Sequence, residues 1–193
     1  MRNERIAIQP YEMVLLLLDA SGGSIRGKTL LQKRGYFVAT QLGWNLGYRA
    51  HYYGPYSPPL EDGLLKANAL QFINDEKHDL GVDNVGFEVR RYDYRLNEDG
   101  KIIVEELKKE YPEQSSMIQD AVRRMEEAGD TGDYMSLSIA AKTHHLLSNS
   151  DKPLTREEIR AKASKFGWNM NEDQIENAVS FLGKMGLVEG GED

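Results

Sequence analysis

The run Pro10-Tyr11-Glu12-Met13-Val14-Leu15-Leu16-Leu17-Leu18-Asp19-Ala20-Ser21 constrains this chain most, because its conformation decides how the glycine-rich stretch behind it is read. Proline is tolerated at a first helical position. Tyr11, Val14, Leu15 and Leu18 fall at i, i+3, i+4 and i+7, and Gly22 stands where a C-terminal cap belongs. A buried parallel strand would be rich in Val and Ile, whereas this run carries Leu, Met and a single β-branched residue. It reads as a helix.

Behind it, Gly22, Gly27, Lys28 and Thr29 match G-x-x-x-x-G-K-[ST], the loop whose bare backbone N–H groups cradle phosphate. That loop needs a strand in front of it and further βα units supplying an acid for Mg²⁺. The element in front is a helix. The nearest apolar run ending in an acid, Ile102-Ile103-Val104-Glu105, lies inside an amphipathic helix. Thr29 with Gln32 forms a capping box, so the stretch is expected to start a second helix running to about Leu42. On it Leu30, Leu31, Phe37 and Val38 share a face, and Lys33 and Arg34 are expected to point elsewhere. The chain is read as non-enzymatic, with a P-loop nucleoside triphosphatase as the minor alternative.

Further on, His51-Tyr52-Tyr53-Gly54-Pro55-Tyr56 is a turn cluster that delivers Ser57 as N-cap and Pro58 as first residue of a third helix. The three tyrosines are expected to pack the loop onto a core, base stacking being the alternative. Residues 71–84 read as a short strand and a polar loop. Val85, Phe87 and Val89 then alternate as a strand that slips at Arg90-Arg91, which suggests a bulge or turn there. Three helices followed by a β-hairpin is the order of a winged helix-turn-helix.

The motifs Ile25-x-Gly27-Lys28-Thr29-x-Leu31-Gln32-Lys33 and Tyr53-Gly54-Pro55-Tyr56-Ser57-x-x-Leu60, closed by Tyr94-Arg95-Leu96-x-x-x-Gly100, occur in this order. In them the chain resembles the YwgA-like winged-helix proteins and, more distantly, the Panacea-type antitoxin domains, over about residues 8–150. It departs at Arg34-Gly35, where a small apolar pair is more usual. The resemblance implies a regulator-like or antitoxin-like module. Its motif residues here are Gly27, Lys28, Gln32, Lys33, Tyr53, Gly54, Tyr56 and Ser57, and it supplies no ligand and no catalytic residue.

Past a helix from about Gly100 to Glu110, a linker helix spans Ser115 to Ala128, and Gly129-Asp130-Thr131-Gly132 marks a boundary. Helices then read over Met135–Leu147, Thr155–Phe166 and Asn171–Met185, the last two opened by the capping boxes Thr155/Glu158 and Asn171/Gln174. Leu187-Val188 reads as the start of a strand. The expected fold is mainly α (α+β): a winged-helix unit over 1–112, a linker over 113–132, and a second helix-turn-helix unit with little or no wing over 133–193.

The charge pattern bears on partners. The chain of 193 residues has a net charge of −7, yet its first 60 residues hold Arg2, Arg5, Arg26, Lys28, Lys33, Arg34 and Arg49 against Glu4, Glu12 and Asp19. Both third helices open on acids, Glu61-Asp62 and Glu172-Asp173, which suit a helix N-terminus but repel phosphate. A nucleic-acid surface is therefore expected at Arg26, Lys28, Lys33 and Arg34 with Arg90, Arg91 and Arg95. DNA is the expected partner and a protein partner the alternative, and a homodimer is compatible with either. Without cysteine there is no disulfide, thiolate zinc site or thiol nucleophile. His144-His145 point apart on one helix, so no metal or cofactor is expected. The apolar run at 13–18 is too short for a span, and a soluble cytoplasmic protein away from membranes is expected.

Overall fold

A computed structural model describes residues 8–82 and 88–188. Helix α1 (Pro10–Ala20) starts on a reciprocal cap between Gln9 and Glu12 and has Pro10 in its first turn. Met13 to Leu18 are all buried, which a single apolar stripe does not require. The reason is tertiary: α3 (Pro58–Ala69), α4 (Glu98–Glu110) and α5 (Pro112–Ala128) pack around α1, so every side of it faces protein.

Gly22 and Gly23 take positive φ (79° and 86°), and the Gly23 N–H returns to the Leu18 carbonyl at 2.8 Å. This turns the chain into a strand that sequence reading missed, β1 (Ser24–Arg26), and then into α2 (Lys28–Leu42). The expected Thr29 cap is corrected. The N-cap is Gly27, no side chain caps it, and Thr29 lies in the first turn. Gln32 does not reach back to the helix start because its amide is engaged with Ser57, donating to the Ser57 carbonyl at 3.0 Å and accepting from the Ser57 N–H at 2.9 Å. Ser57 caps α3 as expected, its hydroxyl accepting from the Leu60 N–H.

Strands β2 (Ile73–Val82) and β3 (Glu88–Leu96) complete an antiparallel sheet of order β1-β3-β2. The reading of residues 71–84 as a short strand and loop gives way to a ten-residue β2. Val85 and Phe87 lie outside the described residues. β3 runs through Arg90-Arg91 without a bulge; the irregularity sits opposite, between Asp79 and Val82. Among the sheet residues whose burial is described, Ile25, Ile73, Tyr94 and Leu96 are buried. From Asn74 to Asp79 the ribbon stands clear of the core, so neither face there is under pressure to alternate.

Beyond α5 come α6 (Tyr134–Ser148), α7 (Arg156–Lys165) and α8 (Glu172–Lys184), with both expected capping boxes in place. Leu187 and Val188 form a bend. Eight helices and the small sheet make a mainly helical α+β fold among the described residues. None of these helices is long and apolar enough to cross a membrane. One buried cluster runs from Ile8 to Met185. α5 is part of it, lying on α1 and α2 with Ile118, Ala121, Val122 and Met125 inside, while α2 also packs on α6. At that seam the Tyr36 hydroxyl meets His144 Nδ1 at 2.7 Å, and burial lowers His144 to about 4, keeping it neutral near pH 7.

Two glycines set helix spacing. A Cβ on Gly35 would stand 2.5 Å from Leu60 Cδ2 and 2.9 Å from the Tyr48 hydroxyl, so the sequence departure at this position allows closer packing of α2. A Cβ on Gly63 would stand 2.5 Å from the Pro10 carbonyl carbon and 2.8 Å from the Tyr11 nitrogen, backbone atoms that cannot swing aside. Gly63→Ala should therefore push α1 from α3 and lower unfolding stability by about 1–3 kcal/mol or more. An unchanged denaturant midpoint would refute that contact.

Candidate functional site

The seven basic residues expected to form one surface are divided by the fold. Lys33 and Arg34 are inside, 1 % and 6 % exposed, because α2 is covered by α1 and α3 together with α5 and α6. Arg34 Nε donates to Asp130 Oδ2 at 2.9 Å, so the Gly129–Gly132 turn, expected as a boundary, is tied into α2. Lys28 is bridged to Glu61 at 2.6 Å. Arg91 forms a fork with Asp93 at 2.7 and 3.0 Å. The register puts Arg26, Arg91 and Arg95 on one sheet face, interleaved with Glu76 and Asp93, and Arg90 on the other, where it lies 3.6 Å from Asp79.

The motif residues, in contrast, do come together. Lys28, Thr29, Gln32 and Lys33 form one stripe of α2, and the chain from Arg49 to Ser57 folds against it. Arg49 and Tyr56 exchange two backbone hydrogen bonds that close this loop. Gly54 has φ +96°, open to glycine, and a Cβ there would stand 3.0 Å from Lys142 Cγ and 3.4 Å from Lys33 Cε. From the other half of the chain, Trp168 Nε1 donates to the His51 carbonyl at 2.8 Å. Between stripe and loop lies a cavity of about 430 Å³ lined by Lys28, Thr29, Gln32, Lys33, Arg49, His51, Tyr53, Tyr56 and Glu61.

Lys33 dominates its electrostatics. Its ammonium donates to the Pro55 carbonyl at 2.8 Å, and no carboxylate pairs with it among the described residues. Burial lowers its pKa to about 7, and the nearby Lys142 adds to the effect. Lys142, itself lowered by burial, lies 5.7 Å from the centre of the Trp168 ring. Arg49 is exposed and has no side-chain partner among the described residues. α2 begins at the cavity with no side-chain cap and no acid in its first turn. Lys28, Lys33 and Arg49 thus set three cations around one carboxylate, Glu61, an arrangement suited to holding an anion.

The P-loop pattern takes a different geometry. A helix precedes it, and the Gly22 and Gly23 N–H groups are spent on the Asp19 and Leu18 carbonyls. Among the described residues no group of three His, Asp or Glu is placed to hold a metal. Sequence reasoning missed Arg49, His51, Glu61 and Lys142 as neighbours of the motif. The strongest available signal was the Tyr-Gly-Pro-Tyr turn, whose glycine lets the loop close over two lysines.

No known family model matches the chain, and no curated protein matches it.

Proposed function

We propose that this chain is a non-enzymatic regulatory module of winged-helix type that acts by seating an anionic group of its partner in the cavity between α2 and the Arg49–Ser57 loop. The order α1-β1-α2-α3-β2-β3, with sheet order β1-β3-β2, supports the winged-helix plan, and the three consecutive helices α6–α8 support reading a second helix-turn-helix-type unit there. The observation that carries the binding reading is Lys33. A buried ammonium satisfied by one carbonyl, with no carboxylate paired to it among the described residues, is expensive to keep. Its charge is explained by a ligand that meets it. Duplex DNA has less support as the partner, since Glu61 and Asp62 stand at the head of α3 and, of the seven basic residues expected to meet it, Lys33 and Arg34 are buried and Lys28 and Arg91 are held by carboxylates.

The test is calorimetric titration of the full chain with inorganic pyrophosphate near pH 6.5 at low salt. Wild type should bind, and Lys33→Met and Arg49→Ala should each weaken binding roughly tenfold or more, the loss expected for a charge-assisted hydrogen bond. Absence of binding, or equal binding by all three proteins, would sink the reading.

A further inference from the structure

We propose that the anion this cavity takes is the phosphate of a 5′-phosphorylated nucleoside, with the phosphate against Lys28, Lys33 and Arg49 and the base on the exposed ring of Tyr53. This rests on the anion-binding reading above and adds the chemical class of the ligand.

Three observations point to it. The cavity, about 430 Å³, lies in the range of sites that enclose a whole small molecule and is far larger than a lone phosphate or carboxylate needs. Its lining is aromatic on one side: Tyr53 lines it while 58 % exposed, Tyr52 stands edge-on to Tyr53 with centroids 5.0 Å apart, and the His51 ring lies 6.1 Å from that of Tyr53 and 5.2 Å from that of Tyr56. An exposed ring beside clustered cations is the pairing that receives a base and its phosphate together. Lastly, Glu61 is the single carboxylate of the lining. It accepts hydrogen bonds from ribose hydroxyls or a base amino group once Lys28 turns from it to the phosphate.

The position of Lys33 selects a terminal phosphate. Lys33 is only 1 % exposed and its ammonium is held by the Pro55 carbonyl, so a phosphate meets it only by entering end-on in place of that carbonyl, which the internal phosphodiester of a passing strand cannot do. A monoester also brings close to two negative charges to the three cations, where a diester brings one. A carboxylate-rich peptide offers neither that charge density nor a flat ring for Tyr53. The phosphorylated nucleoside has two sources, a free mononucleotide or the 5′ end of a nucleic-acid strand.

The deciding experiment titrates the full chain, by calorimetry and by its tyrosine and tryptophan fluorescence, with six ligands. These are AMP, adenosine, inorganic phosphate, a 5′-phosphorylated hexanucleotide, its 5′-hydroxyl counterpart, and hexaglutamate. AMP should bind about tenfold more tightly than inorganic phosphate and much more tightly than adenosine. Tyr53→Ala, with its unfolding midpoint measured as the control for folding, should remove most of the AMP advantage and weaken phosphate binding far less. Lys33→Met should weaken both. Parity of the 5′-phosphorylated hexanucleotide with AMP identifies a strand end as the source; AMP binding alone identifies a free nucleotide. If phosphate equals AMP and Tyr53→Ala changes nothing, the nucleoside assignment fails while the anion site stands. If no anion binds, both fail. Equal binding of the two hexanucleotides, or tighter binding of hexaglutamate, overturns the assignment in favour of a different partner.

Discussion

Lys33→Met should make the folded chain more stable at pH 6.5, by about 1–3 kcal/mol, and progressively less so as pH rises. In the folded state Lys33 titrates near 7, against an ordinary value of 10.5. The sign follows from linkage. Below pH 7 both folded and unfolded lysine are charged, and the folded state carries the full penalty of a buried ammonium. Between 7 and 10.5 the unfolded state binds the proton and the folded state releases it, so stability rises with pH. Above 10.5 the penalty is gone. Methionine has similar bulk and no charge, so it removes a penalty of roughly 3–5 kcal/mol and leaves the Pro55 carbonyl unpaired, at about 1–3 kcal/mol. Between pH 7 and 9 the gap between variant and wild type should shrink by about 2–3 kcal/mol. Urea unfolding of both proteins across this range checks it, and a gap that does not move with pH would refute the buried, depressed lysine. A residue whose removal stabilises the fold while weakening anion binding is one kept for function.

Asp130→Asn should destabilise the chain by about 3–5 kcal/mol, because it leaves the Arg34 guanidinium buried without a counter-charge. The side chains of Arg34 and Asp130 are 8 % and 1 % exposed, and Glu126, at 4.0 Å, is too distant and too solvated to substitute. Arg34→Met should cost less, since a stranded carboxyl can take up a proton and become neutral. The double variant Arg34→Met/Asp130→Asn should be less damaged than Asp130→Asn alone, giving a coupling measurable in a double-mutant cycle. Equal or additive losses would show that the pair contributes nothing beyond its separate side chains. The pair also fastens α2 to the turn between α5 and α6, so the loss should appear as a single cooperative transition at lower denaturant.

Much of the fold could be read residue by residue. The leucine run ended by paired glycines, the Ser57-Pro58 start, and the capping boxes Thr155/Glu158 and Asn171/Gln174 all stand where the chain places its helix ends. Each signal is carried by side chains within four residues of the backbone groups they serve. β1 left no such signal, because three residues paired with Asp93, Tyr94 and Arg95 are stabilised by a partner strand far along the chain. The irregularity lies in β2 and not, as a bulge or turn, at Arg90-Arg91, because an exposed ribbon need not alternate.

The candidate site divides along the same line. Sequence alone determined which residues form the motif and that α2 begins beside it, since glycine placement and helical period are local properties. Only the tertiary structure decided which charges are free. Lys33 meets a carbonyl 22 positions away, Arg34 a carboxylate 96 positions away, and the His51 carbonyl an indole 117 positions away. A lysine in a helix has the same local signature whether it faces water or a carbonyl. Burial of a charge is set by what the remote chain packs over it, and that physical fact put two of the expected basic residues inside, Arg34 in an ion pair and Lys33 against a carbonyl beside a cavity.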